Sequence, residues 1–332
     1  MLVSWNTTKR CNLYCKHCFR DSSINENTDS ELSTEEGKKL IIEIKKSGFR
    51  LLVLSGGEPL LRDDIFDFIS KAKEEGIIPA MGTNGTLLSR EIAVELKSTG
   101  LRGIAISLDS MDRNYHDDFR GCMGAFEKAQ EGIENALGSG LRVQINLTLT
   151  EDNQDEFEKI INYYEKKGVH AVYPFFLVPT GRAISMEADG LKERAYFSMI
   201  RRILDLQSKT SMELKPTCAP QFMPISKEMG LEQRFTRGCL AGTGYCCILP
   251  DGKVHICPYL PVEVGDTRET LFSEIWSKSK IFNQLRNYKN YEGDCGKCEH
   301  ISICGGCRAR AYYYNGNYLA QEPWCYRREK NG

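Results

Sequence analysis

The feature that most constrains this chain is a regular alternation, over roughly its first 180 residues, of short apolar runs with amphipathic stretches. Apolar runs beginning at Leu2, Leu51, Ile77, Gly103, Val143 and Ala171 read as strands. Between them the helical period predicts helices over residues 33–46, 63–75, 89–98, 125–137 and 155–167. Ser33 can cap the first of these, with Glu36 placed as the acid of a capping box. Strands separated by single helices must run parallel, with right-handed crossovers. Leu51-Leu52-Val53-Leu54 is apolar throughout, the pattern of a parallel strand buried on both faces. Six strand positions with five helices are too few for a closed eight-stranded barrel. The expected fold is therefore α/β, a partial TIM-like barrel of (β/α)6 type over residues 1–185. A helical connector over 186–234 follows, in which Leu191 to Gln207 carries the apolar stripe Tyr196, Phe197, Ile200, Ile203 and Leu204. Composition then changes abruptly, and residues 235–332 form a small cysteine-rich domain. On barrels of this kind functional groups gather at the C-terminal ends of strands.

The 14 cysteines set the chemistry. Met1 to Asn6 lacks the basic region and long apolar run of a signal peptide, and no later run approaches a membrane span. A soluble, cytoplasmic protein is expected, where thiols stay reduced and metal ligation accounts for them better than disulfides. With 44 basic and 45 acidic residues, no preference for nucleic acid or an anionic membrane is implied. Cys11, Cys15 and Cys18 are spaced C-x3-C-x2-C on a loop directly after the first strand. Thiolates this close converge on one metal centre, and three are one short of a closed site. A zinc knuckle would want a fourth Cys or His at short range, and His17 is crowded between Cys15 and Cys18.

A second group begins at Cys239, with Cys246 and Cys257 held near one another by a hairpin whose turn carries Asp251-Gly252. Cys295, Cys298, Cys304 and Cys307 follow as C-x2-C-x5-C-x2-C, and Cys325 lies beyond them. Eight sulfurs suffice for two four-coordinate clusters. Cys122, Cys218 and Cys247 read by default as buried free thiols, although Cys218 sits in a proline-rich connector and is open to a reactive or substrate-side role.

The C-x3-C-x2-C loop and its flanks resemble the radical S-adenosylmethionine (SAM) superfamily. The resemblance implies a [4Fe–4S] cluster on Cys11, Cys15 and Cys18 whose remaining iron is chelated by SAM, with His17 at the position that family gives to an aromatic. Ser55-Gly56-Gly57-Glu58-Pro59 resembles the GGEP motif that binds the SAM amino group; its glycines allow close backbone approach and its acid can accept from an ammonium. By the same resemblance Thr83 and Asn84 line the SAM pocket, Ser107 and Asp109 lie near its ribose and carboxylate, Arg120 pairs with the carboxylate, and Val178 packs on adenine. Arg182 is placed to contact either SAM or an acidic substrate.

The cysteine-rich tail resembles the SPASM extension, which carries two auxiliary [4Fe–4S] clusters. That resemblance implies Cys239, Cys246, Cys257 and Cys307 for the first, and Cys295, Cys298, Cys304 and Cys325 for the second. The separation of Cys304 and Cys307 by two residues departs from the usual three, and Cys247 competes with its neighbour Cys246.

Met1 to Thr8, Lys215 to Phe222, Cys257-Pro258-Tyr259-Leu260 and Cys304 to Ala311 together resemble enzymes that alter siroheme side chains in haem d1 and siroheme-dependent haem biosynthesis. The implied reaction uses a 5′-deoxyadenosyl radical to remove an acetate or propionate fragment from a didecarboxysiroheme-like tetrapyrrole. It needs an external one-electron donor such as ferredoxin or flavodoxin. Arg182, Arg234, Arg237, Arg308 and Arg310 are candidates for pairing with the substrate's carboxylates, and His255 is one histidine that could ligate its iron. The alternative is a maturase of a ribosomally made peptide, which often carries an extra N-terminal peptide-binding domain for which a loop starting at Cys11 leaves no room.

Overall fold

The computed structural model describes residues 1–325, so the end of the cysteine-rich stretch, 326–332, lies outside the described residues. Its strands are β1 (Leu2–Asn6), β2 (Leu51–Ser55), β3 (Ile78–Thr83), β4 (Gly103–Ser107), β5 (Arg142–Leu149), β6 (Ala171–Phe176), β7 (Glu213–Leu214), β8 (Tyr245–Ile248), β9 (Lys253–Cys257) and β10 (Leu260–Asp266). The helices are α1 (Thr34–Lys46), α2 (Ile65–Glu74), α3 (Arg90–Thr99), α4 (Arg113–Arg120), α5 (Ala125–Gly138), α6 (Phe157–Lys167), α7 (Glu193–Gln207) and α8 (Phe222–Glu228). The cysteine-rich part adds α9 (Phe272–Lys278), α10 (Lys280–Arg286), α11 (Gly293–Gly296), α12 (Ile301–Cys304) and α13 (Arg308–Asn315).

β1 to β7 are joined side by side in chain order, every pairing parallel, as the βα alternation requires. Ser33 caps α1 with Glu36 completing the box, and the β8–β9 hairpin is antiparallel. The cysteine-rich part is no separate sheet. β8 pairs in parallel with β1 and brings β9 and β10 with it, so one sheet runs β10-β9-β8-β1-β2-β3-β4-β5-β6-β7.

The outward face of this sheet is a conventional core. Val3, Trp5, Leu52, Leu54, Met81, Ile104, Ile106, Val143, Ile145 and Leu147 are almost wholly buried and share one apolar cluster with residues of the surrounding helices. The inward face differs from the reading of Leu51 to Leu54 as doubly buried. β2 alternates, with Leu51, Val53 and Ser55 only half-buried while Leu52 and Leu54 reach 0% exposure. The inward positions of its neighbours are small or polar: Ala80 and Gly82, then Gly103, Ala105 and Ser107, then Gln144, Asn146 and Thr148, all half-buried. A closed TIM barrel fills its centre with branched side chains. This partial barrel leaves its lumen open to solvent. Among the described residues no helix is long and apolar enough to cross a membrane.

Candidate active site

β1 delivers the chain into the loop that carries Cys11, Cys15 and Cys18, and two other loops clamp it. Gly57 and Glu58 donate their N–H groups to Thr8 O (2.7 Å) and Arg10 O (2.8 Å). A Cβ on Gly57 would lie 2.1 Å from Arg10 O, and one on Gly56 2.5 Å from Thr8 O. These glycines therefore allow loop to meet loop. On the other flank Gly181, at φ +58°, passes so close that a Cβ would stand 2.5 Å from Cys18 O. Arg182 donates through its backbone N–H to Cys18 O (2.9 Å) and through Nε to Cys15 O (2.8 Å); it also pairs with Asp21 and lies over the Tyr14 ring. Its donors hold the cluster loop and are not free for SAM or substrate.

The three thiols thus meet in a small apolar nest with Leu13 and Ala125. Burial pushes the Cys11 thiol up to about 12, with the charges of Glu58, Cys15 and Cys18 adding to it, and burial likewise raises Cys15. A cluster of buried groups this reluctant to ionise suits a bound cationic centre that supplies the missing positive charge.

Glu58 is 0% exposed and has no cationic partner among the described residues. It accepts from Thr83 Oγ1 (2.7 Å), Asn84 N–H (2.9 Å) and Leu60 N–H (3.2 Å). Burial lifts its carboxyl to about 7 despite those three bonds. A desolvated carboxylate without a counter-charge fits the ammonium of a SAM molecule. The Asn84 side chain donates to Asn12 Oδ1 (2.9 Å) and points at Cys11 Sγ (3.9 Å), a link that no motif announced.

Asp109 and Arg120 form a buried pair at 2.6 Å, and Arg120 also points Nη1 at Cys15 Sγ (3.8 Å). Burial opposes both charges, yet each partner holds the other ionised: Asp109 is lowered and Arg120 raised. Ser107 faces the lumen at the end of β4. His17 stacks on Phe119 at 4.1 Å with its Nδ1 buried and unpartnered, and burial depresses it to about 3, so it stays neutral. Val178, in contrast, is 3% exposed within the main core, which leaves little of it to face adenine.

In the cysteine-rich part the structure redraws one expected ligand set. Cys246 pairs in register with Val3 and shares its outward face, buried against the helices with Arg286 as its charged neighbour. It does not join Cys239, Cys257 and Cys307. Cys247, one residue on, points inward by strand alternation; its thiol donates to Asn6 Oδ1 at 3.3 Å and receives Arg20 Nη2 at 3.3 Å. Cys218 instead lies beside Cys307 and Cys239. Burial drives the thiols of Cys218 and Cys257 well up, and the charges acting on them come from Cys239, Cys307 and one another. Burial likewise raises Cys307 to about 11, Cys239 adding to it. Cys218 holds φ +61°, a left-handed conformation that a non-glycine residue rarely keeps without a compensating contact. Cys218 follows β7 and Cys257 ends β9, so this quartet closes the seam between the two ends of the sheet.

The structure also brings the expected members of the second group near one another. Burial raises Cys304, with Glu322, Cys295 and Cys325 adding to it, and Cys298 lies one turn from Cys295. The short Cys304-to-Cys307 spacing works because Gly305 and Gly306 both take positive φ, +80° and +57°, and turn the two cysteines to different quartets. Arg308 and Arg310, expected as substrate contacts, are instead 1% and 0% exposed. Arg308 donates to the carbonyls of Tyr318 and Ala320 and approaches Cys295 Sγ (3.8 Å), while Arg310 pairs with Glu322 at 3.3 Å. Arg237 is spent on Cys239 O, Ser302 O and Tyr288, and Arg234 is 85% exposed. Among the described residues no three His, Cys, Asp or Glu side chains converge tightly enough for a single metal ion. A four-iron cubane spaces its thiolates more widely than one zinc ion does.

The family model of the radical SAM superfamily matches residues 5–164, and that of SPASM, an iron–sulfur cluster-binding domain, matches 239–299. The AdoMet-dependent heme synthase of Nitratidesulfovibrio vulgaris is 39% identical over 98% of this chain and 91% of its own. This chain belongs to the radical SAM superfamily. A second relative, the pre-heme d1 synthase of Dinoroseobacter shibae, is 30% identical over 98% of this chain and 86% of its own. Among solved structures, Streptococcus suis SuiB bound to S-adenosylmethionine superposes with a TM-score of 0.78 at 14% identity, over 98% of this chain and 77% of that one, a likeness of fold. As a radical SAM enzyme with a SPASM extension, the protein uses SAM with a [4Fe–4S] cluster and carries auxiliary clusters.

Proposed function

We propose that this enzyme trims the acetate or propionate side chains of a siroheme-derived iron tetrapyrrole on a route to haem. The observation that carries this reading is the 39% identity to an AdoMet-dependent heme synthase along 98% of the chain. The open lumen, walled by small residues on β3 and β4, supports it by leaving room for a large planar substrate.

Cys11, Cys15 and Cys18 hold the catalytic cluster. Glu58, kept in place by Thr83 and Asn84, receives the SAM ammonium. Arg120 commits Nε to Asp109 and Nη1 to Cys15, which leaves Nη2 to meet the SAM carboxylate. Cys218, Cys239, Cys257 and Cys307 hold one auxiliary cluster, and Cys295, Cys298, Cys304 and Cys325 the other. When bound and reduced by a donor such as ferredoxin or flavodoxin, the cluster and SAM supply a 5′-deoxyadenosyl radical able to take a hydrogen atom from an unactivated carbon. The neutral His17 ring and Phe119 wall the pocket without adding charge to it. Converting a propionate arm to the vinyl group of haem then costs the substrate that hydrogen atom, one CO2 and one electron, which an auxiliary cluster would accept.

The test is anaerobic incubation of reconstituted enzyme with SAM, dithionite and either didecarboxysiroheme or iron coproporphyrin, followed by mass spectrometry. Loss of CO2 from a macrocycle, matched by 5′-deoxyadenosine, is the expected result. Accumulation of 5′-deoxyadenosine with both macrocycles unchanged would exclude this substrate class and turn attention to a peptide substrate.

A further inference from the structure

The lumen contains two cations that form no ion pair with any described carboxylate. Lys215 follows β7, and strand alternation turns it inward, since Leu214 is buried outward in the core. Its Nζ lies 4.6 Å from the Phe235 ring centroid and 5.8 Å from that of Tyr173. Among the described residues it makes no ion pair. The nearest acid on its own strand, Glu213, accepts instead from the Tyr173 hydroxyl and stands 4.0 Å from Arg234. Burial lowers Lys215, opposed by the charges of Glu213, Cys218 and Cys239, which puts the ammonium beside the first quartet.

Arg20 occupies the opposite wall. Its Nε donates to Asn6 Oδ1 (2.9 Å) and its Nη2 to Cys247 Sγ (3.3 Å), neither of them a carboxylate. Phe19 beside it meets Tyr259 with ring centroids 5.0 Å apart. Tyr259 in turn feels Cys218, Cys257, Cys307 and Arg20, so Arg20 borders the quartet from the β1–β8 side. A desolvated cation without a counter-ion is costly, and aromatic faces offset only part of that cost. Both cations flank the same aromatic-walled space.

We propose that Lys215 and Arg20 are the substrate-orienting residues of this enzyme, each taking one side-chain carboxylate of a planar, polycarboxylate macrocycle laid across the lumen. This inference rests on the tetrapyrrole reading above. Lys215 offers a point charge and Arg20 an η nitrogen, so together they fix the rotation of the macrocycle and thereby which arm faces the SAM site.

The test is anaerobic titration of the cluster-loaded enzyme with iron coproporphyrin and with its tetramethyl ester, followed by tryptophan quenching. Lys215→Met and Arg20→Gln are each expected to raise Kd for the free acid tenfold or more and to leave Kd for the ester at the wild-type value. Lys215→Arg is expected to recover most of the acid affinity. Should Lys215→Met fail to assemble, Lys215→Gln replaces it. Unchanged acid affinity in the variants would overturn the proposal, as would equal weakening of acid and ester. A shift in auxiliary-cluster reduction potential with unaltered Kd would also overturn it, by showing that the cations only balance thiolate charge. Failure of the wild-type enzyme to bind the free acid at all would sink the tetrapyrrole reading together with this one, whereas wild-type binding with indifferent variants would sink this one alone.

Discussion

The cysteine triad and the quartet that closes the barrel seam are both built from buried thiols, yet they are assembled in opposite ways. The triad takes its ligands from one loop, Cys11 to Cys18, and borrows rigidity from two other loops that press on it through Gly57 and Gly181. The quartet takes one thiol each from four separate segments, at positions 218, 239, 257 and 307, and a cluster bound there would tie those segments together. A compact motif can be positioned by its neighbours. A dispersed one has to position them.

That contrast is sharpest at two cysteines. Cys218→Ala should remove one cubane, about a third of the bound iron if three are carried, and leave the seam between β7 and β9 without its bridge. Cys246→Ala, more deeply buried and facing α10, should keep full iron content and cost only the modest stability of a small cavity. Iron and sulfide analysis of the two variants separates them; equal iron loss in both would erase the distinction.

A smaller effect is expected at the SAM side, where the decisive group is an acid. Glu58→Gln should weaken SAM binding by about 10- to 100-fold, because it removes the charge that faces the ammonium while preserving shape. The wild-type pH dependence has a definite sign. Glu58 is raised to about 7 without ligand, so it is mostly protonated below that value and must lose its proton to meet an ammonium. SAM affinity should therefore fall as pH drops from 8 to 6, approaching tenfold per unit at the acid end, and Glu58→Gln should flatten that slope. The same logic applied to stability without SAM gives the opposite trend: the neutral carboxyl is the comfortable form, so this group's contribution is present at low pH and is lost as pH rises through about 7. Calorimetry across pH checks both.

The smallest expected change concerns the clamp on the triad. Gly57→Ala forces a Cβ against Arg10 O and should lower stability by about 1–3 kcal/mol, read as an earlier thermal transition of the loaded enzyme. An unshifted transition would mean the two loops are not in register as described.

How much of this was legible beforehand follows from the same contrast. The βα alternation, the Ser33–Glu36 cap, the Asp251-Gly252 hairpin and the triad are local patterns, and local patterns survive in one dimension. The open lumen did not, because Leu51 to Leu54 reads as doubly buried until the small residues opposite are brought beside it. Cys246 reads as a ligand and Cys218 as a free thiol for a related reason. Its spacing from Cys239 and Cys257 looks apt, but strand parity turns it outward, and parity relative to β1 is fixed only when β8 pairs there. Arg308 and Arg310 looked like surface cations for a substrate; Glu322 and the carbonyls of Tyr318 and Ala320, which bury them, lie 10 to 12 residues away along the chain. Lys215 entered only as the first residue of the Lys215-to-Phe222 segment, since a single lysine carries no motif.

The most direct measurement is 5′-deoxyadenosine formation under dithionite in two matched variants, one lacking the triad thiol Cys15 and one lacking the quartet thiols Cys218 and Cys295. Cys15→Ala is expected to form none, while the Cys218→Ala/Cys295→Ala double variant still cleaves SAM, uncoupled from any change in the tetrapyrrole. Persistent cleavage in Cys15→Ala, or its disappearance in a double variant that retains the triad cluster, would contradict the division of labour described here.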